Sequence, residues 1–209
     1  MNWLEWVSVR LSEIDWLQWT AVATGIVSVY LSVRQKIWSW PTALVNVALY
    51  FVVFREQKLY ADMGLQVIYF VLSLYGWYEW LYGGANRTEL TVSRATSTMT
   101  LTLTAIAVVG VAVLGTLFAR FTDAALPYVD SATATTSLVA QWMMTRKVLE
   151  NWAVWIAVDV VYVGMFVYKH MYPTAALYAG FLVLAVMGHL QWLRSFKEHH
   201  ASAGDVVPA

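Results

Sequence analysis

Long apolar stretches separated by short charged turns limit the folds open to this chain more than any other feature. The 209 residues are 60% hydrophobic and 12% charged, whereas soluble domains average about 45–50% apolar and about 25% charged residues. Apolar stretches near 20 residues match the hydrocarbon core of a bilayer, which is about 30 Å thick. We therefore predict an all-α integral membrane protein with seven spans. They cover residues 16–33, 38–54, 62–81, 99–118, 132–145, 151–168 and 173–192.

The same composition excludes several classes of protein and site. The formal net charge is +0, so nucleic-acid binding has no electrostatic support. The chain has no cysteine, which excludes disulfides and thiolate metal sites. Motifs of zinc proteases, phosphate-binding loops and serine hydrolases are missing from the sequence. We expect neither an enzyme nor an ATP-driven pump, and no metal or cofactor.

The chain contains an internal repeat at an offset of 112 residues. Each copy holds three predicted spans, and one span lies between the copies. An even number of crossings therefore separates equivalent helices, so both copies enter the membrane in the same orientation. This predicts a 3+1+3 arrangement of two parallel three-helix repeats joined by a linker helix. The aligned pairs are Arg34 and Arg146, Trp40 and Trp152, Tyr50 and Tyr162, Tyr60 and Tyr172, Gly76 and Gly188, and Trp80 and Trp192.

The predicted spans divide the chain into five parts. Residues 1–15 mix apolar and charged side chains, which is typical either of a segment lying on the membrane surface or of a charged lead-in to the first span. Residues 16–82 form the first repeat, residues 83–131 the loops and linker helix, and residues 132–194 the second repeat. Residues 195–209 are polar and small, and we expect a disordered cytoplasmic tail.

The distribution of Lys and Arg predicts the orientation in the membrane. Loops on the cytoplasmic side carry an excess of positive charge. With the N-terminus outside, eight Lys and Arg residues lie on the cytoplasmic side and five on the other, which favours an N-outside, C-inside chain. The eight are Arg34, Lys36, Arg87, Arg94, Arg146, Lys147, Arg194 and Lys197.

Polar and aromatic side chains form stripes within the predicted spans. A polar group at membrane depth is costly, so it usually faces the bundle interior and marks a functional site. On the second span Asn46 and Tyr50 share one helical face. The sixth span has a similar stripe, formed by Trp152, Trp155, Asp159 and Tyr162. The candidate substrate-binding residues are Asn46, Tyr50, Gln66, Tyr69, Gln141, Trp152, Trp155, Asp159 and Tyr178.

These residue types favour a flat, polar and cationic solute. Aromatic faces attract cations through the ring quadrupole. Asn and Gln amides can each donate and accept hydrogen bonds, which suits hydroxyls and ring amides. The carboxylate of Asp159 can pair with a positive ring or a hydroxyl. The pattern is that of a small-molecule carrier whose partners are its solute and the lipid bilayer.

Each candidate also has a structural explanation. Asn46 can be an interhelical hydrogen bond, Trp152 an anchor at the membrane surface, and Asp159 a buried structural hydrogen bond. Gly76 and Gly188 are predicted packing sites. A membrane-embedded enzyme or sensor using Asp159 is a further alternative, although an enzyme needs a second catalytic group within reach. A purely structural helical protein is another.

Two segments resemble the PnuC family of bacterial vitamin transporters. They are "YGWYEW", which ends the third span, and "ENWAVWIAVD", which begins the sixth. The resemblance covers about residues 20–195. It implies the 3+1+3 fold, facilitated diffusion of nicotinamide riboside across the inner membrane, intracellular trapping by phosphorylation in NAD biosynthesis, and a homotrimer.

The resemblance also bears on the site residues. It implies that aromatic and amide side chains of the central helices bind the solute, and it transfers this role to Asn46, Tyr50, Gln66, Tyr69, Gln141, Trp152 and Trp155. Asp159 stands where some relatives have Asn. Since the family includes thiamine- and riboflavin-type carriers, these solutes are the alternatives to nicotinamide riboside.

Overall fold

The helices of the protein coincide with the predicted spans one for one. The computed structural model describes residues 16–56, 60–122 and 126–204. Within these ranges the chain forms seven α-helices and a short 3-10 turn at Ala85–Arg87. The predicted all-α class is confirmed. The helices are α1 (Trp16–Val33), α2 (Ser39–Glu56), α3 (Tyr60–Tyr82), α4 (Ser97–Phe121), α5 (Pro127–Thr145), α6 (Asn151–Tyr168) and α7 (Tyr172–Gly204).

Two predicted boundaries fall inside helices. The second repeat begins with α5 at Pro127 rather than at residue 132, because proline is well suited to the first helical position. The predicted tail, residues 195–209, begins within α7, which continues as helix to Gly204. Lys, Glu and Ala in this segment have high helix propensity. Residues 1–15 and 205–209 lie outside the described part of the chain.

Among the residues that the structure describes, four helices are long and apolar enough to cross a membrane by length and composition alone, namely α1, α4, α6 and α7. The others, α2, α3 and α5, are less apolar because they carry much of the polar side-chain content predicted to face the interior. The helix α5 is the extreme case, with Ser131, Thr133, Thr135 and Ser137 all buried. Small and hydroxylated residues let neighbouring helices approach closely.

Six of the helices form a closed ring, and α4 lies outside it. In sequence order, α1 packs on α2 and α2 on α3, while α5 packs on α6 and α6 on α7. The ring is closed by two contacts between the repeats, α3 against α5 and α1 against α7. We call these the α3–α5 seam and the α1–α7 seam. The linker helix α4 packs on α5, which gives the predicted 3+1+3 arrangement.

The turns at one end of the ring confirm the internal repeat in backbone detail. Gln35, after α1, and Lys147, after α5, both have positive φ, 52° and 47°. Lys36 N donates to Leu31 O, and at the same offset Val148 N donates to Met143 O. This is the left-handed ending of a helix in which the following amide bonds back to the last turn. Both copies therefore reverse direction by the same motif.

Candidate substrate-binding site

Four tryptophans stack across the interior at the end of the ring that carries these two turns. Trp40 and Trp80 meet edge to face at 5.3 Å between ring centroids, and Trp152 and Trp192 do so at 5.4 Å. Trp80 and Trp192 join the two pairs at 5.9 Å. None of the four is more than 2% exposed. We call this set the tryptophan layer, and it blocks the interior at this end.

Glycines make room for the outer rings of the tryptophan layer. A Cβ at Gly76 would clash with the Trp40 ring, and a Cβ at Gly188 would lie 2.5 Å from the Trp152 ring. Both distances are shorter than carbon atoms tolerate. The predicted packing role of Gly76 and Gly188 is confirmed.

The four indole N–H groups follow a symmetric pattern, in which one indole of each repeat is hydrogen-bonded and the other is not. Trp80 Nε1 donates to Met144 O across the α3–α5 seam at 3.1 Å, and Trp192 Nε1 donates to Ser32 O across the α1–α7 seam at 3.0 Å. The Nε1 atoms of Trp40 and Trp152 are buried and have no acceptor in the described residues. The two bonded indoles therefore hold the repeats together, while the other two contribute only packing here.

We expect Trp192→Phe to destabilise the protein more than Trp152→Phe. Both substitutions remove the same volume, but only the first removes a buried hydrogen bond. A buried hydrogen bond contributes about 0.5–1.5 kcal/mol net, and the free energies of unfolding should differ by that amount. Thermal unfolding of the purified variants in detergent measures the difference. Equal losses in the two variants would contradict the assignment of the seam bond.

Tyrosines from both repeats converge further along the ring. Tyr162 and Tyr178 pack with centroids 4.5 Å apart. Tyr178 lies within electrostatic range of Tyr50, Tyr69 and Tyr162. We call these four residues the tyrosine group; it draws on α2, α3, α6 and α7. The structure thus brings together three predicted site residues, Tyr50, Tyr69 and Tyr178.

Sequence reasoning missed two residues of this region. Ser137 is a hydrogen-bonding neighbour of both Tyr69 and Tyr162, and Thr133 of Tyr162. The hydroxyl-rich sequence of α5 is the signal that could have identified them. Tyr162 belongs to the predicted stripe of Asp159 on α6 but is not among the nine candidates.

Asp159 lies on α6, one turn before Tyr162 of the tyrosine group, and is 4% exposed. It is within electrostatic range of Tyr178. In the described part of the chain its carboxylate makes neither a hydrogen bond nor an ion pair. Seven residues of α6, about 10 Å, separate it from Trp152. A buried carboxylate without a partner is costly, so the structural explanation of Asp159 has no bond to support it here.

The amide candidates differ in their surroundings. Asn46 Nδ2 donates to Ala21 O of α1, and its amide fills the space left by the missing side chain of Gly25. The structural explanation of Asn46 is therefore confirmed for its nitrogen, whereas its oxygen makes no hydrogen bond in the described residues. Gln66 and Gln141 are half-buried, and in the described residues neither side chain forms a hydrogen bond.

The two tryptophan candidates of α6 belong to the packed end of the ring. Trp152 is part of the tryptophan layer, and Trp155 is partly buried and packs against the same core cluster. Neither touches the tyrosine group through a recorded ring contact. The structure therefore places Trp152 and Trp155 at the tryptophan layer, apart from Tyr50, Tyr69 and Tyr178 of the tyrosine group.

The region around Asp159 can bind an aromatic cation but offers no metal centre. Phenol rings provide flat faces, hydroxyls provide donors and acceptors, and one carboxylate provides negative charge. No group of three or more His, Asp or Glu side chains that could hold a metal ion occurs in residues 16–56, 60–122 and 126–204.

Comparison with known proteins decides the family. The profile of the nicotinamide mononucleotide transporter family matches residues 15–194. This chain belongs to that family. The family consists of transporters, so the alternatives of an enzyme or a purely structural protein fall away, and the chain is a multi-pass membrane transporter of a small molecule.

Individual relatives are similar over nearly their whole length. The nicotinamide riboside transporter PnuC of Escherichia coli strain K12 is 27% identical, with 91% of this chain and 90% of the relative covered. The riboflavin/roseoflavin transporter RibM of Streptomyces davaonensis is 26% identical over 95% of both chains. A crystal structure of the vitamin B3 transporter PnuC superposes with a TM-score of 0.72 at 28% identity, covering 92% of this chain and 87% of that one.

Proposed function

We propose that this transporter carries nicotinamide riboside, a cationic nucleoside, by facilitated diffusion across the bacterial inner membrane. The observation that carries the proposal is the carboxylate of Asp159, which is buried within electrostatic range of Tyr178 and lacks a partner in the described residues. A cationic ring bound there would supply the missing positive charge. The similarity to PnuC of Escherichia coli supports the same solute.

The proposed site comprises the nine candidates together with Tyr162. The tyrosine group would stack on the solute and hydrogen-bond its hydroxyls, and Gln66, Gln141 and the oxygen of Asn46 would add polar contacts. Trp152 and Trp155 would border the site on the side of the tryptophan layer. Rocking of the two repeats about the site would expose it alternately to the two sides.

We further propose the topology and cellular setting expected from the sequence. The N-terminus lies outside, and the turns next to the tryptophan layer, which carry Arg34 and Arg146, face the cytoplasm. Phosphorylation of the solute inside the cell would make uptake effectively one-way and feed NAD biosynthesis. The protein would assemble as a homotrimer, as the family resemblance implies.

Riboflavin is the second candidate solute, because the similarity to RibM covers 95% of both chains. Riboflavin is neutral, so it would leave Asp159 without a counter-charge. Thiamine, which the resemblance also allows, is a cation and would supply a counter-charge to Asp159. The charge at Asp159 favours the two cations over riboflavin.

Uptake into liposomes tests the proposal directly. Purified protein reconstituted in liposomes should let labelled nicotinamide riboside equilibrate chemically unchanged, with no gradient of ions or ATP supplied. Calorimetric titrations with nicotinamide riboside, thiamine and riboflavin identify the solute. Absence of nicotinamide riboside uptake, together with tighter binding of riboflavin or thiamine, would overturn the assignment.

A further inference from the structure

The two seams between the repeats are not equally strong at the end of the tryptophan layer. Each has one indole bond, Trp80 to Met144 O in the α3–α5 seam and Trp192 to Ser32 O in the α1–α7 seam. At the tryptophan layer, the Trp192 bond is the one that joins α7 to α1. The α3–α5 seam carries several further contacts, which have no counterpart at the offset of 112 residues.

Arg146 provides the first of these contacts. Its Nη1 lies 3.0 Å from Glu79 Oε2 and donates to Tyr75 Oη at 3.0 Å. Arg146 follows α5, whereas Tyr75 and Glu79 belong to α3, so the bonds cross the seam. Proximity to Tyr75 raises the pKa of the guanidinium, with Glu79 adding to the effect. The equivalent residue Arg34 is exposed and makes no ion pair in the described part of the chain.

A segment of the α3–α4 connection is hydrogen-bonded to both sides of the same seam. We call residues 88–95 the strap. Leu90 N donates to Trp80 O on α3, while Ser93 N donates to Lys147 O and Ser93 O accepts from Leu149 N in the α5–α6 turn. The strap is thereby bonded to both sides of the α3–α5 seam.

Side chains add to the backbone bonds of the strap. Lys147 is 6% exposed; its Nζ donates to Leu90 O at 2.8 Å and lies 4.5 Å from the centroid of the Trp80 ring. Burial lowers the pKa of Lys147 to about 8, so the amine is still mainly charged at neutral pH. Glu150 accepts from Ala95 N at 2.9 Å. In the first repeat, the position of Lys147 is occupied by Gln35.

We propose that the α1–α7 seam opens at this end during transport, while the α3–α5 seam, held by the strap and Arg146, acts as the hinge. The proposal rests on the proposed function, because it assigns the moving contacts of a carrier whose repeats rock against each other. At this end, opening the α1–α7 seam breaks the Trp192 bond and the contact of Arg94 of the strap with the Phe196 ring, 5.5 Å from the ring centroid. Opening the α3–α5 seam would break the indole bond, the Arg146 contacts and the strap bonds together.

The repeat supplies a matched pair of reporter positions. Val33 and Thr145 are equivalent at the offset of 112, both are 0% exposed, and each follows the residue whose carbonyl accepts a seam bond. The chain has no native cysteine, so Val33→Cys and Thr145→Cys each introduce a single thiol of similar size. A membrane-impermeant maleimide on the side of the tryptophan layer reports exposure of each position.

During uptake of nicotinamide riboside, Val33→Cys should react about tenfold or more faster than Thr145→Cys, because local opening exposes only one seam. Adding Lys147→Gln, which copies the residue of the first repeat, should raise the rate at Thr145→Cys and leave Val33→Cys unchanged. Full unfolding with detergent and heat should expose both thiols equally.

Equal rates at the two positions, faster reaction at Thr145→Cys, or protection of both while uptake proceeds would overturn the inference. A failure of the proposed function is recognised separately, since uptake itself would then be absent for nicotinamide riboside. In that event the same labelling is measured during uptake of whichever of riboflavin and thiamine is transported. The three results named above would then overturn the inference in the same way.

Discussion

Asp159→Asn weakens the binding of nicotinamide riboside by about 10- to 100-fold, because a hydrogen bond or contact to a charged group contributes about 1.5–3 kcal/mol. Asparagine keeps the shape of the side chain and removes only the charge. Asp159 is buried within electrostatic range of Tyr178 and forms no hydrogen bond or ion pair in the described residues. Removing its charge should therefore weaken the binding of the solute rather than a bond within the protein. Calorimetric titration of wild type and variant measures the ratio of dissociation constants.

Two comparisons make this result specific. Glu56→Gln makes the same chemical change at an exposed position at the end of α2, and it should leave the affinity unchanged. A neutral ligand such as riboflavin should bind Asp159→Asn at least as well as wild type, because the cost of burying an uncompensated carboxylate is gone. Unchanged affinity for nicotinamide riboside in Asp159→Asn would contradict the proposed role of the charge.

Gly76→Ala and Gly188→Ala each lower the free energy of unfolding by about 1–3 kcal/mol, the usual cost of overfilling a packed core. The added methyl groups meet the rings of Trp40 and Trp152. Those rings cannot readily shift away from the methyl groups, because each is buried and packs edge to face on a further tryptophan of the layer. Thermal unfolding in detergent should show a clear fall in Tm for both variants.

The same helices provide controls for the glycine substitutions. An added Cβ at Gly64 on α3 or Gly180 on α7 meets no atom within 4 Å. Gly64→Ala and Gly180→Ala should therefore leave stability unchanged or raise it by up to about 1 kcal/mol, because alanine favours helix over glycine. A loss of stability in these controls as large as in Gly76→Ala would show that the tryptophan contact is not the cause.

The fold could be predicted because its determinants are local or repeated along the chain. Apolar length defines a span wherever it occurs, and the pairing of Trp40 with Trp152 and of Gly76 with Gly188 reflects one packing motif used twice. The layout of the repeats then followed from counting spans. The site was harder, because helical spacing shows which residues share a face but not what that face meets.

Asn46 and Lys147 illustrate what sequence could not provide. The rotation of α2 against α1 depends on the absent side chain of Gly25, which admits the amide of Asn46, and nothing in the pattern of α2 encodes that contact. The strap has a polar, unpatterned sequence that was interpreted as a plain connection. Its bonds to Lys147 exist only because the α5–α6 turn and the end of α3 meet across the ring.

The ring of six has a consequence for how such a chain can vary. A protein of half this length, with only α1 to α3, would leave two lateral edges uncovered and would need a second identical molecule to complete the enclosure. In such a homodimer every amino-acid substitution would occur on both sides of the enclosure. Because α4 joins the two repeats in one chain, the second repeat can carry Asp159 where the first has Val47. The two sides of the enclosure can therefore differ in sequence, which suits a solute without twofold symmetry.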